Sequence, residues 1–160
     1  MKTNIEQLRE RIEQNYREYK ADMLEILDGD LIFDFAREIA AVEDAYFLMT
    51  TYPSTFVDEG DAAYLLEFAE PLKMLADAWE EYLDESDGDF KMIVEEVLDR
   101  NDNTDSYITV ALADKLRKKY GENMHYKDAL LAEAIAAGKK YLQLKGLLEE
   151  EGVDLCIERE

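Results

Sequence analysis

Residues 5–26, IEQLRERIEQNYREYKADMLEI, carry Ile5, Leu8, Ile12, Tyr16, Tyr19, Met23 and Ile26 at spacings of three and four. That period places them on one face of an α-helix, whereas a half-buried strand would alternate every second residue. Asn4 suits the N-cap of this helix and Gly29 its stop. The same period runs on into the next segment. Asp30 opens a second helix with Ile32, Phe35, Ile39, Val42, Tyr46 and Met49 on its buried face, ending before Pro53. Pro53 to Gly60, with Ser54, Thr55 and Asp58, reads as a loop.

From Asp61 the helical pattern resumes and meets Pro71. Proline costs about 3 kcal/mol inside a helix but fits its first turn. The segment therefore splits into a short helix through Leu65 and Phe68 and a new one from Pro71 carrying Leu72, Leu75, Trp79 and Leu83. An acidic loop, Asp84 to Asp89, follows. Phe90, Ile93, Val94, Val97 and Leu98 form another helix, closed by the polar run Asn101 to Asp105. Tyr107 to Tyr120 reads as a helix ending at Gly121, although Tyr107 to Val110 also suits a strand. Tyr126 to Glu150 is a long helix with a weak point at Gly138, ended by Gly152. Val153 to Ile157 suits a short strand or a docked tail. The expected fold is an all-α single domain of about six helices over residues 1–160.

The 160 residues are long enough to bury a core, and 48% hydrophobic composition is too apolar for a disordered acidic tail. The lone Cys156 excludes an internal disulfide and suits a reducing compartment. No apolar leader follows Met1, and no run approaches about 18 apolar residues. A cytoplasmic, soluble protein is expected.

Charge is unevenly placed. The chain has 39 acids against 18 Lys and Arg, a net charge of -21. Residues 22–105 hold 25 of the acids against only Arg37, Lys73, Lys91 and Arg100, so this stretch alone carries -21. Residues 1–105 thus form an acidic helical region, and residues 106–160, with 10 acids and 9 bases, a balanced one. Concentrated charge makes a directional field that attracts basic surfaces and repels nucleic acid and anionic membrane.

Signals of catalysis are few. His125 is the one histidine, so any Ser-His or Cys-His arrangement must use it. Its place between Met124 and Tyr126, at a helix start, suits a structural or surface histidine. No glycine-rich phosphate loop occurs. An EF-hand needs oxygen ligands at loop positions 1, 3 and 5, Gly at 6 and Glu at 12. With Gly88 at position 6, Leu83 and Val94 fall on ligand positions; a loop starting at Asp99 puts Thr104 at the glycine and Val110 at the glutamate. Glu122 and His125 are spaced as Glu-x-x-His, but a di-metal bundle needs that motif twice. No enzyme activity, cofactor or metal site is expected.

The acids are also patterned. Asp30, Asp34 and Glu38 follow one another at i, i+4, as do Asp77, Glu81 and Asp84 or Glu85; Glu95, Glu96 and Asp99 repeat the arrangement. Asp87 and Asp89 extend it through the acidic loop. Like charges at i, i+4 destabilise a helix by about 0.2–0.5 kcal/mol per pair, so a sequence chosen for stability alone would interleave bases. Four helical residues rise about 6 Å, close to the spacing of phosphates along a DNA strand. Rows of carboxylates on a rigid core would present charge as a duplex does. These twelve acids are the expected partner-binding residues. The plain reading beside this one is a solvated acidic face. The other candidate surface is aromatic: Tyr16, Tyr19, Tyr46, Tyr52, Tyr64 and Tyr82 sit among the acids, and aromatics favour interfaces as well as core edges. The near-heptad of residues 5–26 would also suit a homodimer, against which Asn15 and Asp22 fall on the seam.

The run Tyr64-Leu65-Leu66-Glu67-Phe68-Ala69-Glu70-Pro71-Leu72-Lys73-Met74-Leu75-Ala76-Asp77-Ala78-Trp79-Glu80, with the pattern around Leu8 to Tyr19, resembles an uncharacterised family of small acidic helical proteins from mobile elements of gut bacteria. The resemblance spans about residues 5–100. It brings no catalytic residues and implies anti-restriction or anti-CRISPR work. The expected function is therefore an inhibitor that occupies the basic nucleic-acid groove of a defence nuclease, an RNA-guided effector or a restriction enzyme, by DNA mimicry. The expected partner is a basic protein, with no direct nucleic-acid or membrane binding. A helical adaptor acting through its aromatic and apolar faces is the alternative.

Overall fold

The computed structural model describes residues 2–26, 35–83, 89–100, 103–121 and 124–150, with the backbone alone at 25–26, 105, 126 and 141–150. The chain is an all-α domain. In order, its helices are α1 (Asn4–Ile26), α2 (Ala36–Thr51), α3 (Pro53–Phe56), α4 (Glu59–Leu65), α5 (Pro71–Glu80), α6 (Phe90–Asp99), α7 (Asn103–Ser106), α8 (Val110–Tyr120) and α9 (Tyr126–Glu150). The excess over the six expected comes largely from the single-turn pieces α3 and α7. The residues fall into two compact units, Met1–Val110 and Ala111–Glu160, a division five residues beyond the charge boundary.

The apolar face of α1 behaves as its period requires: Leu8 and Ile12 are fully buried and Tyr16 nearly so. They pack within unit 1, where α1 meets α2, α4 and α5. The stretch of that seam from Leu8 to Tyr16 is thus covered from inside the chain. Asn4 is not the cap. Thr3 is, its Oγ1 accepting from Glu6 N at 3.1 Å while Glu6 Oε2 accepts from Thr3 N at 2.9 Å, a capping box. Asn4 instead ties α1 to α4, its N donating to Glu59 Oε2 at 2.7 Å and its Nδ2 to Glu59 O at 3.0 Å.

The loop expected over 53–60 is mostly helix. Pro53 starts α3, and Asp58 caps α4 with Asp61 in a second reciprocal box: Asp58 Oδ1 accepts from Gly60 N at 2.7 Å and Asp61 N at 2.9 Å, and Asp61 Oδ2 from Asp58 N at 2.9 Å. The second helix begins at Ala36 with Phe35 at its N-cap. Its expected opening at Asp30, with Ile32, lies outside the described residues, as do the acidic loop 84–88 and the tail Val153–Ile157.

Pro71 stands at the first turn of α5, as its missing N–H demands. The helix before it stops at Leu65, earlier than Phe68, and the chain turns so that Phe68 buries and forms an isolated antiparallel bridge with Thr109. Ala69 N donates to Ile108 O at 2.9 Å and Val110 N to Glu67 O at 2.7 Å. The strand signal of Tyr107 to Val110 thus amounts to one bridge, and α8 starts at Val110 rather than Tyr107. From α1, Arg11 Nη1 donates to Phe68 O at 3.3 Å and Asn15 Nδ2 to Ala69 O at 3.2 Å, satisfying carbonyls that the turn leaves without helical partners.

The core of unit 1 centres on α5, which packs most closely on α2 and also on α1 and α6. Leu72, Met74 and Leu75 from α5, Met49 from α2 and Ile93 and Val94 from α6 are fully or almost fully buried. Phe90 receives two rings edge-on, Phe56 at 5.2 Å and Trp79 at 5.5 Å, which joins α3, α5 and α6 by aromatic packing. The polar run after α6 is not all solvated. Asn103 is 2% exposed, with Nδ2 donating to Val97 O at 2.7 Å and to the Tyr64 hydroxyl at 2.9 Å.

Candidate functional site

Of the twelve acids singled out from the sequence, Glu38, Asp77, Glu81, Asp89, Glu95, Glu96 and Asp99 are among the described residues. Asp30, Asp34, Asp84, Glu85 and Asp87 lie outside them. The helices place the seven in different local settings.

Glu38 stands half-buried in the first turn of α2, where the positive end of the helix dipole favours a carboxylate. It faces Tyr19 of α1, whose phenol burial pushes up, with Glu38 adding to the shift. Asp89 is the N-cap of α6, its Oδ1 accepting from Lys91 N at 2.9 Å. Asp77 on α5 and Glu96 on α6 each hold a hydrogen-bonded set of their own. Lys73 Nζ donates to both oxygens of Asp77 at 2.9 Å, and the Tyr107 hydroxyl donates to Asp77 Oδ2 at 3.2 Å. Arg100 Nη2 donates to Glu96 Oε1 at 2.5 Å and the Tyr82 hydroxyl to Glu96 Oε2 at 3.3 Å. The Arg100 hydrogen bond holds the Glu96 carboxyl below the usual range, and burial, then Asp77, raises the Tyr107 phenol to about 12.

The rows do contain interleaved bases. Lys73 sits four before Asp77, Lys91 four before Glu95 at 4.0 Å, and Arg100 four after Glu96. With both groups of each pair partly in water, such contacts contribute only about 0.3–0.5 kcal/mol. Their effect on the surface is larger than their effect on stability, because each neutralises one carboxylate of the row.

Glu81, Glu95 and Asp99 are the exposed acids of the set that neither cap a helix N-terminus nor enter those hydrogen-bonded sets, Glu95 being ion-paired with Lys91 at 4.0 Å. Glu81 follows directly on α5 as its C-cap. Glu95 and Asp99, one turn apart on α6, line a groove of about 500 Å³ whose opposite wall runs from Ser54 through Asp58 to Asp61. Lys91 is the one cation in that lining among the described residues. Asp58 and Asp61 were not among the expected site residues. They join the groove because the chain between α3 and α4 folds against α6, and their spacing, Asp-x-x-Asp ahead of an apolar residue, was the available signal.

An aromatic surface also emerges. Phe47 and Tyr52, 56% and 53% exposed, meet edge-on at 6.3 Å at the end of α2. Tyr16 and Tyr46 stack at 3.9 Å instead, and Tyr16 donates to Glu43 Oε1 at 2.5 Å. The tyrosines among the acids are thus divided between core edge and surface. His125 is exposed at the start of α9, its Nδ1 accepting from Lys127 N at 3.4 Å. Among the described residues no group of three or more His, Cys, Asp or Glu side chains is placed to hold a metal ion, and no helix is long and apolar enough to cross a membrane.

Comparison with models of protein families, with curated proteins and with solved structures returns no match to this chain.

Proposed function

We propose that the chain is a non-catalytic binding protein whose acidic unit occupies the basic nucleic-acid groove of a defence nuclease, acting as an anti-CRISPR or anti-restriction inhibitor by DNA mimicry. The observation that carries this reading is the net charge of -21 within residues 22–105, a stretch whose described helices share one apolar core. A charge so placed steers a basic partner and fixes its approach more than it adds raw affinity. Glu81, Glu95 and Asp99 supply exposed carboxylates, and the groove beside α6 offers a carboxylate-rich slot for a lysine or arginine side chain. Asp77, Glu96 and Asp89 support this surface by holding the helices and caps in place.

The test is a charge reversal that spares the hydrogen-bonded sets of Asp77 and Glu96. Glu81→Lys, Glu95→Lys and Asp99→Lys together should leave the circular dichroism and melting of the protein near the parent values, since all three are exposed. Asp99 lies at the C-terminal end of α6, where a cation suits the helix dipole. Capture from a panel of RNA-guided effectors and restriction enzymes should be lost in this variant, and in the parent should be reversed by duplex DNA. Capture that survives both the triple reversal and about 0.5 M salt, where charge is screened within less than about 8 Å, would sink the proposal. It would favour an adaptor working through the exposed Phe47–Tyr52 pair.

A further inference from the structure

The groove beside α6 in unit 1 combines charge with apolar surface. Asp58 and Asp61 stand on one wall and Glu95 and Asp99 on the other, while the half-buried Phe56 and Leu98 also line it. Its volume of about 500 Å³ falls within the roughly 300–1,000 Å³ of clefts that enclose a ligand. Four acids against Lys91 leave the lining at -3 among the described residues. These carboxylates are spread along the groove, since no three acids among the described residues are placed to hold one metal ion. Such a lining suits an extended cationic group rather than a point charge.

Acceptor oxygens on both walls are free for donors from outside the chain. The capping box uses Asp58 Oδ1 and Asp61 Oδ2 and leaves the second oxygen of each without a hydrogen bond among the described residues. The Asp99 carboxylate makes none among them. Glu95 has Lys91, whose Nζ at 4.0 Å is beyond hydrogen-bond reach. An incoming cation would therefore displace a loose ion pair and not a formed hydrogen bond. The capping box also fixes its wall in advance, which lowers the cost of ordering it around a ligand.

We propose that this groove takes an arginine side chain from a basic protein partner and selects it over lysine, an inference that rests on reading the chain as a binder of a basic nuclease. A guanidinium presents five N–H donors in a flat fork, so one head can engage carboxylates of both walls. It also stacks on aromatic rings and gives up water more easily than an ammonium. Phe56 and Leu98 offer apolar surface to its stem. Lysine brings the same charge on one nitrogen, and its stronger hydration opposes entry.

Isothermal titration of the full chain with tetra-arginine and tetra-lysine peptides, equal in length and charge, tests this at about 0.1 M salt. Tetra-arginine should bind at least about fivefold more tightly. Glu95→Gln with Asp99→Asn should weaken it by at least about 10-fold, and Lys91→Gln should tighten it. Glu10→Gln with Glu67→Gln makes the same change of charge at exposed sites outside the groove and should weaken it by less than about twofold. Equal affinity for the two peptides, or equal weakening by the two double variants, would overturn the inference. Capture of a nuclease that duplex DNA reverses would stand through either result, so failure here is separable from failure of the proposed function.

Discussion

Unit 1 and unit 2 solve the same problem, burying amphipathic helices, with opposite balances of charge and core. In unit 1 the helices α1, α2, α4, α5 and α6 enclose a continuous apolar cluster from Leu8 to Val97. The carboxylates stay outside, where water and a few i, i+4 cations accommodate them. Among the described residues of unit 2 the buried side chains are Ala113, Leu116 and Ala129, and the charge is nearly neutral. The contrast shows that strong net charge is tolerable where the core is complete.

The sharpest way to break this contrast is to truncate one leucine in each unit. Leu75→Ala empties a fully buried site and should cost about 2–5 kcal/mol in denaturant unfolding. Leu131→Ala, at an exposed site, should change folding stability by less than about 0.5 kcal/mol. Equal losses would mean that α9 is packed on its own chain.

A smaller effect is expected at Asn103, whose amide joins the end of α6 to Tyr64. Asn103→Ala leaves the Val97 carbonyl without this donor in a buried place and should cost about 1–3 kcal/mol, read as a lower melting temperature of unit 1.

The smallest and most selective effect is a pH dependence. Burial first, then the hydrogen bond to Glu43, raises the Tyr16 phenol from 10.0 to about 12. Between those values the folded state keeps a proton that the unfolded state releases, so stability falls as pH rises. It is fully present below pH 10 and is lost through about 12. Tyr16→Phe should make that stretch of the pH profile of unit 1 less steep, the raised phenols of Tyr19 and Tyr107 keeping their own share of the slope, while leaving the profile below it unchanged.

Much of unit 1 was legible because apolar period and proline placement are local signals. The buried face of α1 and the start of α5 at Pro71 follow from them directly. Asp58 was missed because Pro53 and Gly60 make its neighbourhood read as loop, although an acid three residues ahead of another is a capping signal. Asn103 was missed for a different reason: a polar run between helices gives no sign that one amide will be drawn inward by a carbonyl and a tyrosine from elsewhere. In the candidate site the acids were visible, and so were Lys73, Lys91 and Arg100 at four-residue spacing, but counting acids alone hid the pairing. The hydroxyls of Tyr107 and Tyr82 reach Asp77 and Glu96 across turns of the fold, which no spacing along the chain announces.

The one tryptophan of this chain adds an optical consequence. Trp79 lies edge-on to Phe90 and its Nε1 donates to Asp44 Oδ2 at 3.3 Å, so it reports on the place where α2, α5 and α6 converge. Residues 111–160 contain no tryptophan. Excited at the red edge of its absorption, the native protein carries its own fluorescent label for unit 1. Set against far-ultraviolet dichroism, which sums all helices, that emission would let the melting of the acidic unit be followed apart from α8 and α9 without any modification.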